Sequence, residues 1–229
     1  STTSGTASAV DNFGVVDAVQ LGDSKIDVGG DSTISGSVNL SSRTDAVNVG
    51  GGDVRAGSAV ESSSGINQDN TPEKGTELNI EGDASLTGTV NSNKTVTAQS
   101  TEGSATATTG AFGANQFGID LQSLIVEGNA NLTGQVSNNE TTTTESTKGD
   151  TTSVAFGTDR IGLQAYSLET RGEATIKATN SSSSEVSAGT TQGDAFAVVG
   201  NDVPAMRNIA IDNSVIKSGN DTTITAATF

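Results

Sequence analysis

Cysteine, histidine and tryptophan are absent from this 229-residue chain, which has two prolines, one methionine and one tyrosine. Without cysteine there is no disulfide scaffold, no thiol nucleophile and no thiolate metal site. Without histidine there is no Ser-His-Asp triad and no imidazole-ligated zinc or haem. Positive charge is scarce, with 11 Lys and Arg against 27 Asp and Glu and a net charge of −16. A surface for phosphate backbones needs the opposite balance, so no nucleic-acid partner is expected. Apolar runs such as Leu124–Val126 and Phe196–Val199 are far too short to span a bilayer, so no membrane span is expected.

What the chain does have is small and polar. Ser and Thr number 62 and Gly 28, while apolar residues make up 32% and aromatics 3%. Such a composition admits a flexible linker, but only 17% of residues are charged, so half of the disorder signature is missing. The apolar residues also recur at ordered spacings, which a linker does not need.

Those spacings define an internal repeat. One anchor, Gly-(Asp/Asn/Glu)-x-x-(Leu/Ile), appears as Gly30–Ile34, Gly82–Leu86, Gly128–Leu132 and Gly172–Ile176, with a degraded copy at Asn220–Ile224. A second anchor, Ala followed by Val or Phe, lies upstream of each: Ala9-Val10, Ala59-Val60, Ala111-Phe112, Ala155-Phe156 and Ala195-Phe196. A Gly-apolar pair follows in four copies (Gly14-Val15, Gly65-Ile66, Gly118-Ile119, Gly162-Leu163), and Asp202-Val203-Pro204 stands in its place in the fifth. Successive copies of the first anchor lie 44–52 residues apart, which gives five units at about 1–45, 46–100, 101–145, 146–188 and 189–229, forming one repeat domain over residues 1–229. The second unit carries a turn-rich insertion, Asp69–Gly75, expected as a surface loop.

Thr and Val favour extended chain, Gly and Asn punctuate it, and no helical stripe exceeds two turns. The fold class is therefore all-β. A β-solenoid with two coils per unit is expected, about ten coils and roughly 50 Å long at the spacing of hydrogen-bonded strands. Glycines would mark its bends. The alternative is an antiparallel β-sandwich or barrel, with hairpins such as Ser100–Gly103. Thr141–Thr144 and Ser181–Ser184 read as loops rather than as ordered rows for ice or glycan.

Candidate sites are few. Asp31, Asp83, Asn129, Glu173 and Asp221 share one repeat position and could line an edge for calcium, but the same residues serve as turn formers that bond the backbone. Gly50–Asp53 only faintly echoes a calcium-binding nonapeptide. No cofactor is expected, with calcium as the alternative. The repeated apolar positions Ile34, Leu86, Leu132 and Ile176, together with Phe112, Phe156 and Phe196, are expected to form core ladders; Phe13 and Phe117 match one another. Ile224 and Phe229, in the last strand-like segment, are expected to mediate assembly by strand addition. Arg43, Arg55, Arg160, Arg171 and Arg207 are scattered without a local acid–base motif, so no enzymatic activity is expected.

The Gly82-Asp-Ala-Ser-Leu-Thr-Gly-Thr-Val90 type of unit resembles those of repetitive bacterial surface adhesins and extracellular matrix-fibre proteins. A half-unit is also similar in length to curli-type amyloid repeats, although their Ser/Gln/Asn signature is missing. The resemblance and the open strand edges of a repeat array imply a secreted, cell-surface structural protein. It would assemble head to tail with copies of itself into a fibre or surface layer, as in a biofilm matrix. The start at Ser1 fits a processed, exported chain. Two alternatives stay open: a monomeric adhesin module that binds a glycan or surface, and a β-helix enzyme acting on polysaccharide.

Overall fold

The computed structural model describes residues 2–22, 25–68, 76–110, 114–156, 158–199 and 208–229. Within them lie sixteen strands and no helix. In chain order they are β1 (Thr2–Ser4), β2 (Ala7–Gln20), β3 (Ile26–Val28), β4 (Ser32–Gly51), β5 (Val54–Asn67), β6 (Leu78–Ile80), β7 (Ala84–Ser100) and β8 (Ala105–Thr109), then β9 (Asn115–Val126), β10 (Ala130–Lys148), β11 (Thr151–Ala155), β12 (Asp159–Thr170), β13 (Ala174–Gln192), β14 (Ala195–Val199), β15 (Asn208–Ser218) and β16 (Thr222–Thr228). Phe112, the Asp69–Gly75 insertion, Asp202-Val203-Pro204 and Arg207 lie outside the described residues, as does the side chain of Phe13.

The protein is all-β, and every pairing between described strands is parallel. One sheet has the order β1-β4-β7-β10-β13-β16; the other is built from β2, β3, β5, β6, β8, β9, β11, β12, β14 and β15. The chain visits both sheets once per unit, so each unit adds one layer to each. Antiparallel pairing, and with it the antiparallel sandwich or barrel, is thereby excluded for these strands. Ser100–Gly103 is no hairpin: it carries the chain from β7 in the long-strand sheet to β8 in the other.

The first anchor is in perfect register. Ile34, Leu86, Leu132, Ile176 and Ile224 are consecutive cross-strand partners, 52, 46, 44 and 48 residues apart. Hydrogen-bonded neighbours are thus a whole unit apart, which corrects the expectation of two coils per unit. A single strand of 17–20 residues carries the first anchor's Leu or Ile in each of the first four units. Thr141–Thr144 and Ser181–Ser184 lie inside β10 and β13 and are not loops.

The second anchor does not keep its register. Ala195 stands beside Thr151, which stands beside Ala105 and through it Val54, whereas Ala155 pairs with Val199. The Gly-apolar column slips at its first copy. Ile66, Ile119, Leu163 and Ile211 form one column, but its first member is Val19 and not Val15.

Side chains alternate along each long strand, as the period of an extended chain requires. In β7, and in β10 as far as Ser146, the even-numbered residues point inward and are buried. At one inward position both sheets carry glycine. A Cβ on Gly36 would stand 1.9 Å from the Gly65 carbonyl oxygen, and one on Gly134 would stand 2.1 Å from that of Gly162. The sheets therefore touch backbone to backbone in mid-strand, along a seam of facing glycines. These glycines are not at bends. The bends have their own, such as Gly52, whose φ of 138° suits glycine alone.

The seam divides the interior in two. On one side lies the main apolar core: Leu86, Leu132 and Ile176 against Ile66, Ile119 and Leu163, closed by Leu78, Leu124 and Leu168. On the other side the filling is smaller and wetter. Val38, Val90 and Val136 form one cluster, and Ala46, Val96 and Ala98 with Val54, Ala105 and Ala107 form another. Hydroxyls face each other nearby, with Thr109 and Thr142 oxygens 3.0 Å apart and Thr144 and Ser153 oxygens 2.9 Å apart.

Candidate functional site

Most exposed apolar side chains occupy the outer layers. Of nine large ones exposed among the described residues, seven lie in the first layer (Val10, Val15) or the last (Phe196, Val199, Val215, Ile224, Phe229); Val49 lies in β4, between β1 and β7. Leu86, Leu132 and Ile176 are fully buried and Ile34 is half-buried, yet Ile224 in the same column is 51% exposed, because no described strand covers it. Phe229 is 78% exposed, while its backbone continues the pairing, its N–H donating to the Asn180 carbonyl at 2.9 Å. Phe156 is half-buried. Phe196 is 53% exposed and belongs to no core ladder; it stands opposite the half-buried Thr152, on the outward side of its strand.

Asp31, Asp83, Asn129 and Glu173 do form a row, and its side-chain oxygens bond the backbone of the next layer. The Asp31 Oδ1 accepts the Asp83 N–H at 2.8 Å, the Asp83 Oδ1 accepts that of Asn129 at 2.7 Å, and the Asn129 Oδ1 accepts that of Glu173 at 2.9 Å. The side chains of Asp31, Asp83 and Asn129 thus each pin the corner of the next layer. Asp221 joins through its backbone carbonyl, which accepts the Ala174 N–H. Among the described residues no three carboxylates gather to hold a metal ion.

The interior holds an ion cluster. Glu140 lies between two cations, with its Oε1 3.3 Å from the Lys94 Nζ and its Oε2 3.7 Å from an Arg160 guanidinium nitrogen. All three side chains are fully buried. Lys94 and Glu140 are cross-strand partners in adjacent layers, and Arg160 reaches them from the opposite sheet. Burial lowers the pKa of both Lys94 and Arg160, against the pull of the carboxylate. Nearby, the amide groups of Asn138 and Gln116 are buried without hydrogen-bond partners.

A groove of about 360 Å³ runs along the outer surface of the short-strand sheet. Its lining residues bracket the seam glycines: Ser64 and Asn67 around Gly65, Phe117 and Asp120 around Gly118, and Gln164 beyond Gly162. Val15 and Asp17 contribute from β2 and Tyr166 from β12. Tyr166, the protein's only tyrosine, is 43% exposed and, among the described residues, is with Val49 one of two large exposed apolar side chains away from the outer layers. Asp120 is only 5% exposed, and its Oδ1 has no hydrogen-bond partner. Burial, and secondarily the Asp17 carboxylate, push its pKa up to about 7. Asn67 donates to the Asp17 Oδ2 at 3.0 Å.

Among the described residues no arginine lines this groove. Arg43 pairs with Asp45, Arg171 with Glu127, and Arg160 belongs to the buried cluster. No known protein family, no curated protein and no solved structure matches the chain.

Proposed function

We propose that this chain is a β-solenoid building block of an extracellular self-assembling fibre or surface layer, adhesive or matrix-forming, without enzymatic activity. In this reading each unit is one turn of the solenoid, five turns stack to roughly 20–25 Å at the strand spacing, and the outer layers accept a further layer of the same chemistry. One observation carries the reading: exposed apolar side chains concentrate on the two outer layers, and Ile224 is an inward-column residue left without its next rung. Strand edges with unpaired backbone groups and bare apolar side chains are templates for pairing. A second copy stacking head to tail would cover both surfaces in the same geometry that joins the internal layers, and contacts that do not close into a ring make filaments. The net charge of −16 would limit sideways clumping of such filaments.

Electron microscopy and analytical ultracentrifugation of the purified chain test this. Fibres whose length grows with concentration are the expected result. Ile224→Lys, which would bury a charge in the joint, and deletion of 220–229 should both leave a folded monomer that no longer polymerises. A chain that stays monomeric across salt, pH and calcium concentrations overturns the proposal. Fibres that persist in both variants place the joint elsewhere.

A further inference from the structure

The groove outside the seam has a chemistry that strand stacking does not use. We propose that it is a binding site for an uncharged saccharide, with Tyr166 and Phe117 as the apolar walls and Asp17, Asp120, Asn67 and Gln164 as partners for hydroxyl groups.

The placement of aromatic residues is the first argument. The chain has only six phenylalanines and one tyrosine, yet the tyrosine and a half-buried phenylalanine line the same groove. A sugar ring presents one face of C–H groups, which packs on aromatic rings, and an edge of hydroxyls, which needs short polar side chains. Both kinds of surface occur here, in a volume at the small end of ligand pockets.

The second argument is the state of Asp120. Leaving a buried carboxylate oxygen without a donor is costly, and natural proteins rarely do so without a reason. Asp120 Oδ1 is in that state, and so is Asp17 Oδ1, both on the groove. Both residues line the groove, so a turn of either carboxyl would bring that oxygen to a ligand hydroxyl. Asn67 already orients Asp17 through its other oxygen. Two carboxylates and no lining Lys or Arg disfavour uronic acids, sulfated sugars and phosphates, which selects an uncharged saccharide.

The site also explains itself geometrically. Its residues come from β2, β5, β9 and β12, four successive layers, so the groove runs along the stack and across the strands. That direction suits a short run of linked sugars rather than a single ring.

Tyrosine emission makes the site easy to read, because the chain has no tryptophan and its one tyrosine is the groove wall. The full-length protein is titrated with uncharged hexasaccharides of glucose, mannose, galactose, xylose and N-acetylglucosamine, up to roughly 10 mM, the weak end for a single small site. At least one should change the emission saturably and release heat by calorimetry. Tyr166→Ala and Gln164→Ala should each weaken that heat signal about tenfold or more, with unchanged circular dichroism. The proposal is overturned if no hexasaccharide binds, if Tyr166→Ala binds as the parent does, or if polygalacturonate binds more tightly than every uncharged sugar. Calcium chloride alone is the remaining probe: saturation with calcium that chelator reverses, and that excludes the sugars, would make the groove a cation site and overturn the proposal as well.

Discussion

Gly88 and Gly118 face each other from opposite sheets so closely that a Cβ on Gly88 would lie 1.9 Å from the Gly118 carbonyl oxygen. The neighbouring atom is backbone on a strand paired on both sides, so it cannot move aside. Gly88→Ala is expected to destabilise the protein by about 3 kcal/mol or more, as overpacking of a rigid interior does. Gly189→Ala, with open space around its Cβ position, should stay within about 0.5 kcal/mol of the parent. Urea denaturation of the two variants checks the contrast.

Removing the carboxylate from the buried cluster leaves two uncompensated cations in the interior. Glu140→Gln should therefore cost about 3–5 kcal/mol. Lys94→Met leaves the Glu140–Arg160 pair and removes a group whose burial already disfavours its charge, so its cost should be clearly smaller. Equal losses in thermal denaturation of the two variants would mean that the cluster does not act as one carboxylate shared by two cations.

Asp120 gives the stability a definite pH dependence. Its carboxyl has a pKa near 7 in the folded state against 3.8 as the ordinary value. Between those limits the folded protein binds more protons than the unfolded chain, so this contribution to stability falls as pH rises from 4 to 7. It then stays lost above that range, for a total of about 4 kcal/mol. Asp120→Asn should remove the slope: the stability difference between variant and parent should widen in favour of the variant from pH 4 to pH 7. A constant difference across that range would contradict the assignment.

The corner ladder spends its side-chain oxygens on backbone N–H groups. Asp83→Ala should cost about 1 kcal/mol, whereas Asp83→Asn keeps an acceptor and should cost less. Because the row holds protein donors in sequence, neither calcium nor a chelator should shift the melting temperature of the parent. A calcium-dependent rise that Asp83→Ala abolishes would show that the row binds the ion.

The long-strand sheet was legible because its columns repeat residue types: Ile34, Leu86, Leu132, Ile176 and Ile224 are recognisably one position. The other sheet was not, because its columns mix types. Val54, Ala105, Thr151 and Ala195 share a place, so small residues offered no unique phase and the Ala-Phe alignment slipped. The tract Thr141–Thr144 hid its strand in the same way. Thr142 and Thr144 are fully buried between outward Thr141 and Thr143, so polarity does not alternate although orientation does. A signal for the ion cluster was present, since Lys94 follows Leu86 and Glu140 follows Leu132 at the same distance, placing opposite charges in one column. Arg160 and the Asp17–Asp120 groove had none, for they depend on how the sheets face and bend.

The glycine seam acts as a bulkhead. A continuous interior would expose every inward side chain to one shared environment, and a buried Lys–Glu–Arg cluster would sit against the same leucines that hold the sheets together. With the backbones closed on each other at Gly36, Gly88 and Gly134, the apolar cluster is set apart from the polar filling beyond the seam. That partition lets a chain with so little apolar material keep one well-packed compartment, and leaves the other free to carry hydroxyls and charge.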